Sequence, residues 1–406
     1  MKLILITFFL ISSTYIFPQS TNMLNVYLDC WFCDMNFIRD EIKFVNYVRD
    51  RNDADLHIMT SRQRTGSGGK EFNFFLLGLN RFDGKNDTLK VYTESGDSED
   101  IERKQIVKKL KIGLIPYLSN SNVVDDIKIE YRGTGNEIEK FEDPWDYWVF
   151  RTRLNGDFEG EESYNEFGIR TFISASRITD QTKFWAWIDS RYDEENFNYE
   201  DDESKFVTRQ QRAGLSYVYS LSEKWSVGSW LRARNSTYDN IDLNVQFAPG
   251  IEYNFYPYTE SSRHQFRVEY RIWAMLNDYN EETIYYKKNE LLARQELSFV
   301  FAMLEPWGEI DLTLSGANYL HDFGLKSVRL RGGIELNITK GLSLDIGGGA
   351  SAINDQIALR KSEVDIEELL LRRRELETQF DYYTYFGFSF SFGSIYNNIV
   401  NTRFGD

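Results

Sequence analysis

Long segments in which apolar and polar residues alternate constrain this chain more than any other feature. The clearest runs from Gln379 to Phe392. Every second residue from Phe380 (Phe380, Tyr382, Thr384, Phe386, Phe388, Phe390, Phe392) is apolar, aromatic or small, while Asp381, Tyr383, Tyr385, Gly387, Ser389 and Ser391 fill the other phase. Period-two alternation gives a strand with one greasy and one polar face. Strands of soluble sandwiches run about 5 to 6 residues, whereas a tilted bilayer-spanning strand needs roughly 9 to 11. The length of this segment points to a membrane.

From Tyr147 onward the pattern repeats over 147–158, 165–177, 183–195, 206–220, 224–235, 242–256, 263–276, 289–303, 308–319, 326–338, 341–353 and 378–392. The expected fold is therefore mainly β: an antiparallel transmembrane β-barrel of about 12 strands, preceded by a small α/β domain. Tight connections (Thr179–Thr182, Ser222–Glu223, Glu305–Trp307, Thr339–Lys340) alternate with long charged ones at Asn196–Lys205, Asp278–Lys288 and Asn354–Glu377. In outer-membrane barrels the short turns face the periplasm and the long loops face outward. The longest connection holds Ser362–Glu377, free of Gly and Pro, where a short helix over the barrel mouth is expected. Pro249 falls mid-strand beside Gly250 and predicts a bulge.

Composition fits this reading. The chain has 30 Phe, 25 Tyr and 9 Trp, natural for strands flanked by aromatic girdles. Mean hydropathy is −0.48, which argues against a helical membrane protein but not against a barrel, half of whose strand residues face a polar lumen. A net charge of −16 argues against nucleic-acid binding. The start of the chain, Met1-Lys2 and then an apolar run to Ile11, reads as a secretory signal peptide over 1–20, and no cysteine stands at the expected cleavage point.

Residues 21–119 have a mixed texture. A short strand at Asn25–Leu28, an amphipathic helix over Asp34–Arg51, strands at Ala54–Arg64, Phe72–Phe82 and Asp87–Thr93, and a helix from Ser98 to Ile115 stopped by Pro116 give the order β-α-β-β-β-α. Residues 120–146 are polar and acidic and read as the linker into a barrel spanning 147–406. The β-α-β-β-β-α order, with Ala54-Asp55-Leu56-His57-Ile58 and the turn Thr65–Gly69, resembles the small periplasmic N-terminal domains of TolB-type proteins. At the other end, the Tyr385, Gly387, Phe390, Phe392 pattern resembles the C-terminal targeting signal of bacterial outer-membrane barrels, although a tail from Gly393 to Asp406 follows it. That likeness implies recognition by the barrel-assembly machinery and an outer-membrane location, with 21–119 in the periplasm.

Candidate chemistry is sparse. Cys30 and Cys33 form C-x-x-C, readable as a redox pair or as a structural disulfide in an oxidising compartment, and the element order favours the disulfide. With three histidines in the chain, His57, His264 and His321, no metal site is expected. His321-Asp322 lies in an outward loop, but neighbours in extended backbone point to opposite faces, so no catalytic set and no cofactor is expected. The polar phase of the strands carries more information. It contains Arg151, Arg153, Arg170, Asp189, Arg191, Arg212, Arg232, Arg234, Glu252, Arg267, Glu269, Arg271, Arg294, Glu296, Asp311, Arg329, Arg331, Glu335 and Asp345. Either arginine–carboxylate pairs tie the interior of a closed barrel, or excess positive charge lines a path for anions. The sequence thus predicts an outer-membrane barrel of structural or scaffolding type whose partners are membrane lipid and, through 21–119, a periplasmic protein. A narrow anion-selective channel and a surface enzyme are the alternatives.

Overall fold

A computed structural model describes residues 23–118, 143–199, 202–362 and 376–394. The signal peptide, most of the linker and the core of the helix expected in 362–377 lie outside the described residues. The N-terminal module comprises β1 (Leu24–Asp29), α1 (Met35–Glu41), β2 (Val45–Tyr47), β3 (Leu56–Arg64), β4 (Lys70–Gly78), β5 (Asn86–Thr93) and α2 (Glu99–Leu118). Its sheet has the order β2-β1-β3-β4-β5, with β1 parallel to both neighbours and β3 to β5 antiparallel.

Two expectations change in this module. The helix predicted to run to Arg51 stops at Glu41, and β2 is an added strand. Val45 and Tyr47 are 2% and 4% exposed, and their two-residue spacing sends both into the core, which a helix cannot do. Helix α2 does not stop at Pro116. A proline inside a helix costs about 3 kcal/mol, but two more positions bury Tyr117 and Leu118, each worth roughly 1.5 to 3 kcal/mol. Helix α1 starts at Asp34, whose carboxylate accepts the Phe37 N–H at 2.9 Å and an Arg103 guanidinium N–H at 3.0 Å. The Phe37 amide, then Arg103, hold this carboxyl below its usual range against the opposing effect of burial.

The second part is one twelve-stranded antiparallel meander. Its strands are β6 (Trp148–Gly160), β7 (Tyr164–Ile178), β8 (Thr182–Tyr199), β9 (Asp202–Ser220), β10 (Trp225–Ser236), β11 (Ile241–Asn254), β12 (His264–Tyr279), β13 (Asn289–Glu305), β14 (Gly308–Tyr319), β15 (Lys326–Thr339), β16 (Leu342–Asn354) and β17 (Phe380–Phe390). They run 11 to 19 residues. The expected loop at Asn196–Lys205 is instead the tip of the β8–β9 hairpin, paired to Tyr199↔Asp202. A Glu194–Lys205 ion pair at 2.7 Å and Phe197 packed against Phe206 hold polar sequence in a ladder. Nor does Pro249 make a bulge. The β11–β12 ladder skips Ala248 and Pro249 but resumes in the same register at Gly250↔Arg271, and its shift lies at Ile241/Leu243.

Contacts with the module show that the sheet curls. Laid flat, twelve strands would span about 53 Å at roughly 4.8 Å per step, far more than a module of about 95 residues with a radius of gyration near 13 Å can bridge. Yet the module meets both ends of the sheet: Gly68 O accepts from Arg151 of β6 at 3.5 Å, and Arg49 donates to Phe392 O beyond β17 at 3.3 Å. Among the described residues no ladder joins β6 to β17, so the wall has a seam. Both flanking strands are largely exposed on both faces.

Candidate functional site: the polar face and its two rims

Residues directly opposite in an antiparallel ladder share a face. Following the registers from strand to strand gives one continuous polar face. It runs, for example, Asp189↔Arg212↔Arg234↔Asn244 from β8 to β11, and Arg271↔Glu296 then leads through Ala317 and Ser327 to β15. Every charged residue of the predicted polar phase, from Arg151 to Asp345, falls on this face. The other face is apolar and exposed on every strand: Phe150, Ile173, Ile188, Leu215, Leu231, Phe247, Ile272, Leu291, Leu312, Leu330, Ile346 and Phe386 each stand out from β6 to β17 in turn.

The arginines of the polar face divide into two groups. From β8 to β13 all but Arg232 meet a carboxylate: Arg212 meets Asp189 at 2.6 Å, Arg191 meets Asp193 at 2.5 Å, and Arg234 meets Asp239 at 3.0 Å. Arg267 and Arg271 share Glu269 at 2.7 and 2.6 Å, with Glu252 near Arg267. Arg294 bonds Asp355 at 3.1 Å and lies 3.7 Å from Glu296. Arg232 rests on the Trp273 ring at 4.9 Å, and Arg271 also covers Trp230 at 4.2 Å, arrangements that favour a cation over a π face. Beside the seam the pattern changes. Arg153 and Arg170 on β6 and β7, and Arg329 and Arg331 on β15, have no carboxylate within ion-pair distance among the described residues.

The long-loop rim is crossed by the segment that follows β16. Ile357 enters an apolar cluster of Ala248, Trp273, Met275, Leu292 and Tyr319, all on the otherwise polar face. Further along, Ala358 O accepts from Asn240 at 2.9 Å, Leu359 O accepts from the Ile284 N–H at 2.9 Å, and Arg360 donates to Thr237 O. Alternation alone could not show this strap, because its partners lie on β10 to β14.

The short-turn rim carries the module. Both helices cover one face of its sheet, yet His57, Met59, Asn73 and Phe75 on the other face are also buried. The barrel covers them. Arg263, just before β12, lies over Phe75, and Tyr27 shares a polar cleft with Asn337, Gly341, Ser343 and Ser389. Burial, then Asp29 and Asp50, raise the Tyr27 phenol well above its ordinary range, with Glu335 of β15 adding to them. Residues 49–53 form the clasp. Asp50 accepts the Gly341 N–H at 2.7 Å, Asp53 meets Lys340 at 2.6 Å, and Arg51 donates to Pro306 O. Gly341 has φ +70°, and a Cβ there would stand 2.0 Å from Ser391 O, so this turn requires glycine.

Other predicted residues are placed as follows. Cys30 and Cys33 form a disulfide at the edge of the module core. Tyr385 and Gly387 lie on the polar face of β17, Phe390 on the apolar face, and Phe392 just beyond the strand, packed on Phe390. The His321 ring lies tilted against Tyr319, 5.7 Å between centroids, while Asp322 builds the turn by accepting from Gly324 and Leu325. Asp157, Glu166 and Asp193 converge and were missed. All three belong to the polar phase, so the signal was present, but only the register shows that they meet.

No family model matches the sequence, and no curated protein matches it. Among solved structures the chain is similar to a NanC porin, with 10% identity over 59% of this chain and 99% of that one and a TM-score of 0.28. It is also similar to the beta domain of the Bordetella autotransporter Brka, with 13% identity over 60% and 98% of the two chains and a TM-score of 0.25.

Proposed function

We propose that this chain is an outer-membrane β-barrel of structural, scaffolding type, which holds its α/β module in the periplasm against the barrel's short-turn rim. The observation that carries the reading is that clasp: residues 49–53 bond to the turns at Pro306 and Lys340–Gly341, and the second face of the module sheet closes over the mouth. The outward apolar face on all twelve strands supports insertion in lipid, since so large an exposed apolar surface is not sustained in water. Among the described residues nothing covers the helix-bearing side of the module, which suits a periplasmic partner, and the aromatic last strand suits recognition by the barrel-assembly machinery. Intact protein in planar bilayers is the test. It should give no steady current, and the mature chain should fractionate with the outer membrane. Recovery as a soluble periplasmic protein without detergent would overturn the location.

A second reading, a narrow anion-selective path, is favoured by one observation: Arg153, Arg170, Arg329 and Arg331 line the polar face beside the seam without carboxylate partners among the described residues. A steady anion-selective current through the intact protein would establish it in place of the scaffold. Among the described residues no set supports surface hydrolysis, and His321→Ala is expected to change no activity on lipid or peptide.

A further inference from the structure

We propose that Asp157, Glu166 and Asp193 form a calcium-binding site on the polar face near the long-loop rim. One ligand oxygen from each lies within 4.8 Å of the other two. An acidic cluster alone would be an ordinary solvated patch, but Asp193 is not ordinary. It is 5% exposed, one oxygen takes the Arg191 Nε–H at 2.5 Å, and Oδ1 is buried with no hydrogen-bond partner. Leaving a charged acceptor in that state is costly, so a cation belongs there.

The backbone shows where Oδ1 points. Gly168 stands between Asp157 and Asp193 in the ladder, and a Cβ on it would come within 2.0 Å of Asp157 Oδ2 and 3.4 Å of Asp193 Oδ1. Both oxygens therefore overhang the same bare glycine. In the adjoining row Glu166 stands directly opposite Glu159, and like charges facing each other destabilise a ladder. Tyr164 donates to Glu166 Oε2 at 2.7 Å, which fixes that carboxylate and leaves Oε1 for an ion.

The donor set selects the metal. All-oxygen ligands exclude a preference for zinc, which favours His and Cys. Four carboxylate oxygens, both of Asp157 with Glu166 Oε1 and Asp193 Oδ1, form an irregular cradle that water can complete, which suits calcium, accepting 6 to 8 oxygens flexibly, better than magnesium, which demands a near-ideal octahedron. The rival account is neutralisation by Arg170, one row further down the face beside Arg191.

Terbium luminescence excited through tyrosine separates the two, because Tyr164 bonds to a ligand. Full-length protein in detergent should show saturable terbium emission, displaced by calcium with a dissociation constant of about 10⁻⁴ to 10⁻³ M, the range of extracellular modules. Asp157→Asn, an exposed change that leaves folding intact, should weaken calcium at least roughly tenfold through the lost ligand charge, as should Gly168→Ala by filling the cradle. Glu281→Gln, in a charged loop at the same rim, should not. Equal calcium affinity in Asp157→Asn and the unmutated protein, or equal competition by magnesium and calcium, would overturn the site in favour of Arg170.

Discussion

Leu330→Arg tests whether the apolar face meets hydrocarbon. Leu330 is exposed on that face of β15, paired between Leu314 and Ala350, while its neighbour Arg329 lies on the polar face between Ser315 and Ser351. The midpoint of Lys326–Thr339 falls between Gly332 and Gly333. Leu330 is thus about 2.5 residues away, or roughly 6 Å from the midplane at ~3.3 Å per residue and ~40° tilt. The apolar band extends about 12 Å either side, and arginine costs roughly 2 to 4 kcal/mol at the midplane and 0 to 1 at the edge. Halfway out, about 2 kcal/mol is expected, which changes the folded-to-unfolded ratio by roughly 30-fold. Arg329→Leu strands no carboxylate among the described residues and should stay within about 0.5 kcal/mol. Urea unfolding in vesicles, read by heat-modifiable migration, measures both. If Leu330→Arg costs nothing in lipid while Arg329→Leu destabilises, the apolar face does not meet the bilayer and the membrane reading fails.

Three further outcomes are expected. Exchanging the clasp charges one at a time, Asp53→Lys or Lys340→Glu, should expose the module to protease, whereas the double exchange should restore protection; since exposed pairs contribute about 1 kcal/mol or less, an unchanged cleavage rate in both single variants would show that the clasp does not hold the module. Cys33→Ser should lower module stability by about 2 kcal/mol, the loop-entropy value for so short a ring, without altering heat-modifiable migration of the barrel; loss of the folded barrel band would contradict two independently folding parts. In lipid, the free edges of β6 and β17 should pair, because each unsatisfied backbone group in hydrocarbon costs several kcal/mol; amide exchange of both edges as fast in vesicles as in a denatured control would refute closure.

The strands were legible because a sheet with one apolar and one polar face imposes an uninterrupted period of two, and each of the twelve predicted segments overlaps its strand. What failed was local chemistry judged without partners. Asn196–Lys205 has loop composition, yet Lys205 has Glu194 across the ladder and Phe197 has Tyr164 and Phe206. Residues 44–48 fit a helical stripe equally well until β1 supplies a parallel neighbour. The clasp was out of reach: Asp50 and Gly341 are 291 residues apart, and neither belongs to a pattern that announces the other.

The sequence offered the polar phase as a set and not as a distribution, and the distribution bears on function. Along the barrel axis the charges form three bands. Carboxylates gather near the long-loop rim (Asp157, Glu166, Asp193), arginines with no carboxylate partner among the described residues lie in the middle near the seam (Arg153, Arg170, Arg329, Arg331), and carboxylates return at the short-turn rim, where Glu309 and Glu335 face each other on β14 and β15 beneath Asp29 of the module. An anion path must be easy to enter as well as attractive within, and an anion approaching from either end meets its own sign first. The same order suits a structural wall, since guanidiniums midway between acidic rims are held electrostatically away from lipid at little cost in specific pairing. Calcium at the upper band would cancel most of the negative charge at that entrance. Bound metal would then favour anion entry from the long-loop side, and conductance measured with and without calcium distinguishes a wall from a metal-dependent pore.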